Sequence, residues 1–292
     1  KGGTLWGWGD NSQDQLGRSD VVESASPVRV PLTGIVTTVA AGAFSVYSIR
    51  ADATALAWGD NSFGQLGTGA AGSAVLLAPQ ELRKLHRVLA IVAGSADAYA
   101  LEANGTVWAF GDNSLGQLGQ DGAEGEPRPR ASAVPLRVPG LDGVVQIAAG
   151  GDTCYALSKD GSVWAWGDDE FGELGNGTRR LYEARPERVE GLATVASVAA
   201  GASSGYALLR DGTVWAWGRG TDRELGDGRM SDESFPVRVG RLSGVTQLTA
   251  NGEEAFAVDN HGTLWSWGNN GYGQLGDGSV TATDVPVRVA GL

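Results

Sequence analysis

Apolar residues fall in short runs that alternate with small or polar ones, and each run ends at glycine. The clearest is Val163-Trp164-Ala165-Trp166-Gly167. A period of two puts the two Trp side chains on one face of a strand and Val163 and Ala165 on the other. The same slots hold Trp6/Trp8, Leu56/Trp58, Trp108/Phe110, Trp215/Trp217 and Trp265/Trp267, with Val107, Val214 and Leu264 on the alternate face. A strand apolar on both faces is one covered on both sides, so these aromatics are expected to pack between neighbouring sheets. Upstream of each run lies a second strand, of the type of Cys154-Tyr155-Ala156-Leu157, closed by a turn such as Asn104-Gly105, Asp160-Gly161 or Asp211-Gly212. Asn-Gly and Asp-Gly between two strands are hairpin signals, because both residues tolerate positive φ. A small-residue strand (Val144 to Gly150 and its equivalents) precedes that pair, and a fourth, of the type Pro-Val-Arg-Val, follows it. In chain order these are strands a, b, c and d. The stretch 81–88 is compatible with either helix or strand but keeps the repeat spacing.

The spacing is regular. The glycines that end strand c are Gly9, Gly59, Gly111, Gly167, Gly218 and Gly268, at intervals of 50, 52, 56, 51 and 50. Each is followed after 8 residues by the glycine of a Leu-Gly pair. The small-residue strand ends at Gly42, Gly94, Gly150, Gly201 and Asn251, always 17 residues before the next strand-c glycine. Pro27, Pro79, Pro135, Pro186 and Pro236 each lie 15 residues before that end. Only the distance from Leu-Gly to proline varies: 10, 12, 16, 11, 10 and 10 residues, counting Pro286. Six units of about 50 residues with four strands each predict an all-β β-propeller, a single domain over residues 1–292. Strands c and d occur six times but a and b five times. One blade is therefore expected to be incomplete and to present an open edge, unless the native chain continues.

Composition narrows the function classes. The chain has 46 Gly among 292 residues but 10 Pro, which suits many tight turns and not a Gly/Pro-rich disordered chain. The net charge of −12 disfavours direct nucleic-acid binding, which needs clustered positive charge. No apolar run is long enough to span a membrane as a helix. The single Cys154 excludes a disulfide framework and a cysteine-based zinc cluster. It sits in a slot otherwise held by Val46, Ala98, Gly205 and Ala255, and reads as a small buried residue. His86 and His261 fall in different units, and no nucleophile-elbow motif is present. The Asp-Asn-Ser-x-Gly strings mimic a calcium loop, but their glycine is one position early and no glutamate follows at position 12. No cofactor, metal or catalytic residue is predicted.

The combined pattern of small-small-Gly, Ala-Leu, Asp-Gly-x-Val-x-x-Trp-Gly, Gly-Gln-Leu-Gly and Pro-x-x-Val resembles the regulator of chromosome condensation repeat, over nearly the whole chain. The resemblance implies a β-propeller, usually of seven blades. It implies varied roles: nucleotide exchange on a small GTPase, chromatin docking, enzyme inhibition, light sensing and scaffolding. Two slots depart from the family. Where it often has His, this chain has Ser45, Asp97, Thr153, Ser204 and Glu254. Where it favours aliphatics, this chain has Tyr47, Tyr99, Tyr155, Tyr206 and Phe256.

Strand alternation places the a–b and c–d connections at one face and the Asp-Gly turns and d–a connections at the other. All length variation thus collects on one face, and variable loops on a rigid scaffold are where binding usually resides. The c–d loops there carry Glu124, Glu126, Arg128 and Arg130, then Arg179, Arg180, Tyr182, Glu183 and Arg185; the a–b loops carry Phe44, Asp97, Asp152, Glu253 and Glu254. Phe63, Leu115, Phe171 and Tyr272 present large apolar groups on the intervening turns. The reading is a non-enzymatic module that binds a partner protein through Arg128, Arg130, Arg179, Arg180, Tyr182, Phe44, Asp97, Asp152, Glu253 and Glu254, with self-association through the open edge as a further expectation. The alternatives are a nucleotide-exchange factor for a small GTPase, and a hydrolase or lyase with a site at the channel mouth.

Overall fold

A computed structural model describes residues 2–69, 75–121, 128–240 and 242–291, and Glu124 and Glu126 lie outside them. Among the described residues every regular element is a strand. The contacts cluster in two units, Lys1–Gly143 and Val144–Leu292.

The first unit holds three sheets. β1 (Trp6–Asp10) pairs with β2 (Glu23–Arg29) in a two-stranded sheet. β3 (Val36–Ala41), β4 (Ser45–Arg50), β5 (Ala55–Asp60) and β6 (Val75–Glu81) form a four-stranded antiparallel meander. β7 (Val88–Ala93), β8 (Asp97–Glu102), β9 (Val107–Asp112) and β10 (Ala131–Arg137) form a second. The second unit holds three more: β11 (Val144–Gly150) to β12 (Thr153–Ser158), β13 (Val163–Asp168) and β14 (Tyr182–Arg188); then β15 (Val195–Ala200), β16 (Ser204–Leu209), β17 (Val214–Gly218) and β18 (Glu233–Arg238); then β19 (Val245–Asn251), β20 (Glu254–Asp259), β21 (Leu264–Gly268) and β22 (Thr283–Arg288). Among the described residues strands c and d therefore occur six times and strands a and b five times, as the landmark count predicts. The ambiguous stretch 81–88 ends β6, turns through Leu82 to Leu85, and enters β7.

The repeated residues explain why these strands form. The strand-c glycines have φ near +100°, as at Gly59 (+101°) and Gly167 (+107°). A Cβ on Gly167 would sit 2.1 Å from the Asp152 carbonyl oxygen. Each marks a bulge in the c–d pairing, such as that between Ala165 and Gly167. The proline landmark falls in strand d, the outer strand of every sheet, where a missing N–H breaks no ladder bond.

Sheets stack through the aromatic slots. Trp58, Trp166, Trp217, Trp267 and Phe110 are fully buried, while Trp108, Trp164, Trp215 and Trp265 are half-buried. The tyrosines in the departing slot are buried too, and three of them pack edge-on against strand c of the following sheet: Tyr47 on Phe110 (6.3 Å), Tyr155 on Trp217 (5.6 Å) and Tyr206 on Trp267 (6.3 Å). Their hydroxyls donate to a carbonyl 18 residues on: Tyr47 to Gln65 (2.6 Å), Tyr99 to Gln117 (2.8 Å), Tyr155 to Glu173 (2.8 Å) and Tyr206 to Glu224 (2.8 Å). A buried Tyr needs such an acceptor. In the last sheet Phe256 has no hydroxyl, and its cross-strand partner is Ser266 where Tyr155 faces Ala165; Ser266 donates to the Leu275 carbonyl at 2.7 Å. Cys154 is buried as its slot predicts. The inter-sheet burial expected of every Trp fails at Trp6 and Trp8, which are 50% and 63% exposed. Their strand, β1, pairs only with β2 among the described residues, so no strand b shields it.

Candidate functional site

Register fixes which connections share an end. In the fourth sheet Thr153 pairs with Gly167, and the Asp168 amide donates to the Asp152 carbonyl at 3.0 Å, so the β11–β12 turn lies beside the start of the β13–β14 connection. The second sheet repeats this: Ser45 pairs with Gly59, and the Asp60 amide donates to Phe44 at 3.0 Å. The variable c–d connections therefore rise from the same end of each sheet as the a–b turns.

Each c–d connection begins with a turn that its own side chains tie down. In the second sheet Asn61 accepts from the Leu66 amide (3.0 Å) through Oδ1; Gln65 accepts from the Phe63 amide (2.9 Å) and donates to Asp60 (2.8 Å); Ser62 donates to Asp60 (2.5 Å). Asp60 thus spends its lone pairs on local donors, and no group of three or more His, Cys, Asp or Glu suited to a metal occurs among the described residues.

The predicted site residues divide between the units. In the first, Phe44 is 48% exposed at its turn. Arg128 is half-buried and donates to the Ser114 carbonyl at 2.8 Å, and Arg130 is exposed. Asp97 requires a correction. It is 1% exposed, accepting from the Gly94 amide (3.1 Å) and the Tyr99 hydroxyl (3.3 Å), so it holds the a–b turn and offers no surface contact.

In the second unit, Arg179 and Arg180 are exposed on the β13–β14 connection. Arg179 donates to the Asp232 carbonyl at 2.6 Å and Arg180 to Glu183 at 3.0 Å. Tyr182 is exposed at the start of β14. Asp152 is half-buried. Glu253 and Glu254 are half-buried and occupied: Glu253 accepts from Asn269 (2.7 Å) and Glu254 from Gln274 (2.6 Å). Of the turn aromatics, Phe63 is 49% and Tyr272 96% exposed, whereas Phe171 lies under the Arg219 guanidinium, 5.3 Å from its ring centroid.

Two residues that the sequence reading passed over stand out at this end. Glu173 and Glu224 occupy the slot that is Gln15, Gln65, Gln117 or Gln274 elsewhere, and both are buried. Burial, then the Asp168 carboxylate, pushes Glu173 up to about 8; burial pushes Glu224 up to about 7. The signal was visible, since Gly-Gln-Leu-Gly becomes Gly-Glu-Leu-Gly and Arg-Glu-Leu-Gly in the fourth and fifth units. Its meaning needed the burial, which no spacing reveals.

Residues 74–292 match the RCC1-like domain, and residues 2–49 match the regulator of chromosome condensation (RCC1) repeat. The chain is 33% identical over 236 residues to the E3 ubiquitin-protein ligase HERC2 of Homo sapiens, covering 77% of this chain and 5% of that one. It thus spans about one-twentieth of that relative's length. Among solved structures, human WBSCR16 aligns with a TM-score of 0.86 at 25% identity, covering 97% of this chain and 76% of the other. Prp20p of Saccharomyces cerevisiae aligns with a TM-score of 0.83 at 23% identity, covering 99% and 73%.

Proposed function

The chain belongs to the RCC1-like domain family of β-propellers, and on that premise we propose that it is a non-enzymatic module that binds a partner protein through the end of the sheets bearing the c–d connections. The observation that carries this reading is the confinement of length variation, 10 to 16 residues, to those connections, while every other spacing is constant. The second unit offers a chemistry for it. Arg179 and Arg180 stand on one connection, with Tyr182 at the start of the strand that follows; Arg179 donates to the Asp232 carbonyl and pairs with its carboxylate (3.5 Å), and Arg180 pairs with Glu183 (3.0 Å) and Glu187 (3.6 Å). Such pairs contribute about 0–1 kcal/mol, so a partner's carboxylates can replace them at little cost. Arg and Tyr are also the residue types that anchor interfaces. On the first unit Phe44, Arg128 and Arg130 supply the corresponding groups. Prp20p is a family neighbour described as binding Gsp1p and histones, which supports a protein partner here.

Affinity capture from lysate of the source organism, with parent and variants compared by quantitative mass spectrometry, tests the reading. R179A/R180A should lower recovery of the specific partner roughly tenfold, a loss of about 1.4 kcal/mol, with an unchanged melting temperature. An Asp160 to Ala change at the opposite end should leave recovery intact. Loss of capture with Asp160 altered, and none with the arginines altered, would move the interface to the Asp-Gly end. Nucleotide exchange on a small GTPase is the second reading, favoured by Prp20p binding Gsp1p. It requires the captured partner to be a GTPase whose labelled nucleotide is released faster in the presence of this protein.

A further inference from the structure

Three turns of the same chain show what the glutamine slot does. Gln15, Gln65 and Gln117 each accept, through Oε1, the amide of the residue two before them (2.9, 2.9 and 2.8 Å). Through Nε2 each donates to the aspartate that opens the turn: to Asp10 (3.1 Å), Asp60 (2.8 Å) and Asp112 (3.2 Å). A serine hydroxyl donates to the same aspartate, from Ser12, Ser62 or Ser114. In the fourth turn both side-chain donors are gone. Glu170 replaces the serine and Glu173 the glutamine. Glu173 still accepts the Phe171 amide through Oε2 (2.8 Å), which leaves Oε1 on the donor side, sealed from solvent and without a hydrogen-bond partner. Asp168 is left with backbone amides, those of Glu170 (3.2 Å) and Asp169. The neighbouring Asp169 is satisfied as a carboxylate. It accepts from the Leu174 amide (3.2 Å), the Thr178 hydroxyl (3.0 Å) and the Arg180 amide (3.1 Å). A carboxylate cannot take over an amide's donor role, but a carboxylic acid can.

We propose that Glu173 carries a proton at neutral pH and donates it to Asp168, so that the fourth c–d turn is closed by a carboxyl–carboxylate pair whose deprotonation loosens it. The charges facing Glu173 all favour the proton. Asp168 and Asp169, both from the turn itself, act on its carboxyl and raise it, and Glu170 acts in the same sense on Asp168. From β12, Tyr155 donates its hydroxyl to the Glu173 carbonyl, as does the Trp217 indole from β17 (2.7 Å). Arg180 is committed to Glu183 and Glu187, and Arg219, beyond the Phe171 ring, to Asp222 and Glu224. The fifth turn is the internal contrast, with Arg219 in the aspartate slot 3.9 Å from Glu224, so a cation compensates there. Burial and the Asp168 charge raise Glu173 to about 8 in the folded protein, against an ordinary 4.5. The protonated group therefore favours the fold fully below the ordinary value, and that contribution is lost as pH rises through about 8. The turn seats Phe171 and leads into Arg179 and Arg180, so the inference rests on the partner-binding reading for its consequence: the pair is a pH-dependent regulator of that surface.

The test uses the free protein, so its outcome is independent of whether any partner is found. Thermal unfolding is followed from pH 5 to 9, together with the Trp217 indole proton resonance, for parent, E173Q, D168N and E224Q. E173Q restores the amide of the other turns and is expected to fold. The parent should lose several degrees of melting temperature between pH 6 and 9 relative to E173Q. Its Trp217 resonance should titrate in the same window. The titration should vanish in E173Q, and in D168N, where an amide donates to ionised Glu173, and persist in E224Q. A Trp217 titration unchanged in E173Q, or an E173Q protein less stable than the parent at every pH, would overturn the pair.

Discussion

Trp217 and Trp8 fill the same repeat slot but differ in what covers them. Trp217 is fully buried, edge-on to Tyr155, with its indole donating to the Glu173 carbonyl, whereas Trp8 is mostly exposed. Trp217→Ala should destabilise the protein by about 3–5 kcal/mol through the cavity it leaves, read by urea denaturation, and Trp8→Ala by under ~0.5 kcal/mol. Tyr155→Phe removes one hydroxyl from a carbonyl that Trp217 still satisfies, so its cost should be about 1 kcal/mol in the same assay. The Trp and Tyr slots were legible as packing positions because their period of two repeats in every unit. The exposure of Trp8 and the burial of Asp97 were not, because both depend on which neighbouring strand or turn is present. An aspartate at the head of strand b looks like a turn acid until the Gly94 amide and Tyr99 hydroxyl are seen to occupy it.

At the scale of the element, the c–d pairing turns on one glycine. Its φ near +107° at Gly167 is open to few L-residues, and the Asp152 carbonyl lies where a Cβ would go. Gly167→Ala should therefore cost more than about 2 kcal/mol, measured by chemical denaturation, because backbone strain and a backbone clash add. Gly161, in the β12–β13 hairpin turn, has φ +87° but 3.4 Å of clearance, so its Ala variant should cost less than Gly167→Ala. The hairpins and the four-strand period were readable from Asp-Gly, Asn-Gly and the proline spacing, since these signals are local. The bulge was not, since it requires knowing the cross-strand partner of each residue.

At the scale of the molecule, the sequence period predicts one domain, while the contacts group into residues 1–143 and 144–292. Differential scanning calorimetry should give a single transition with equal calorimetric and van't Hoff enthalpies; two resolved transitions would mean that the units unfold separately. Among the described residues β1 pairs only with β2 and leaves Trp6 and Trp8 exposed, an edge through which the chain of residues 1–292 should self-associate. The net charge of −12 opposes it, so sedimentation should show more association at high salt, and Trp8→Lys should weaken it severalfold.

What the sequence determined by itself is the repeat, the four strands within it, the strand-c packing positions and the end of each sheet where length varies. All of these follow from short-range period and turn chemistry, which are properties of neighbouring residues. Tertiary structure decided the rest: that Asp97 is a buried brace, that tyrosine hydroxyls tie four of the turns to strand b, and that Glu173 stands in a sealed slot under the charge of Asp168. Whether a carboxyl group is a solvated charge or a buried acid depends on the dielectric and donors around it, and those are assembled only when distant strands meet.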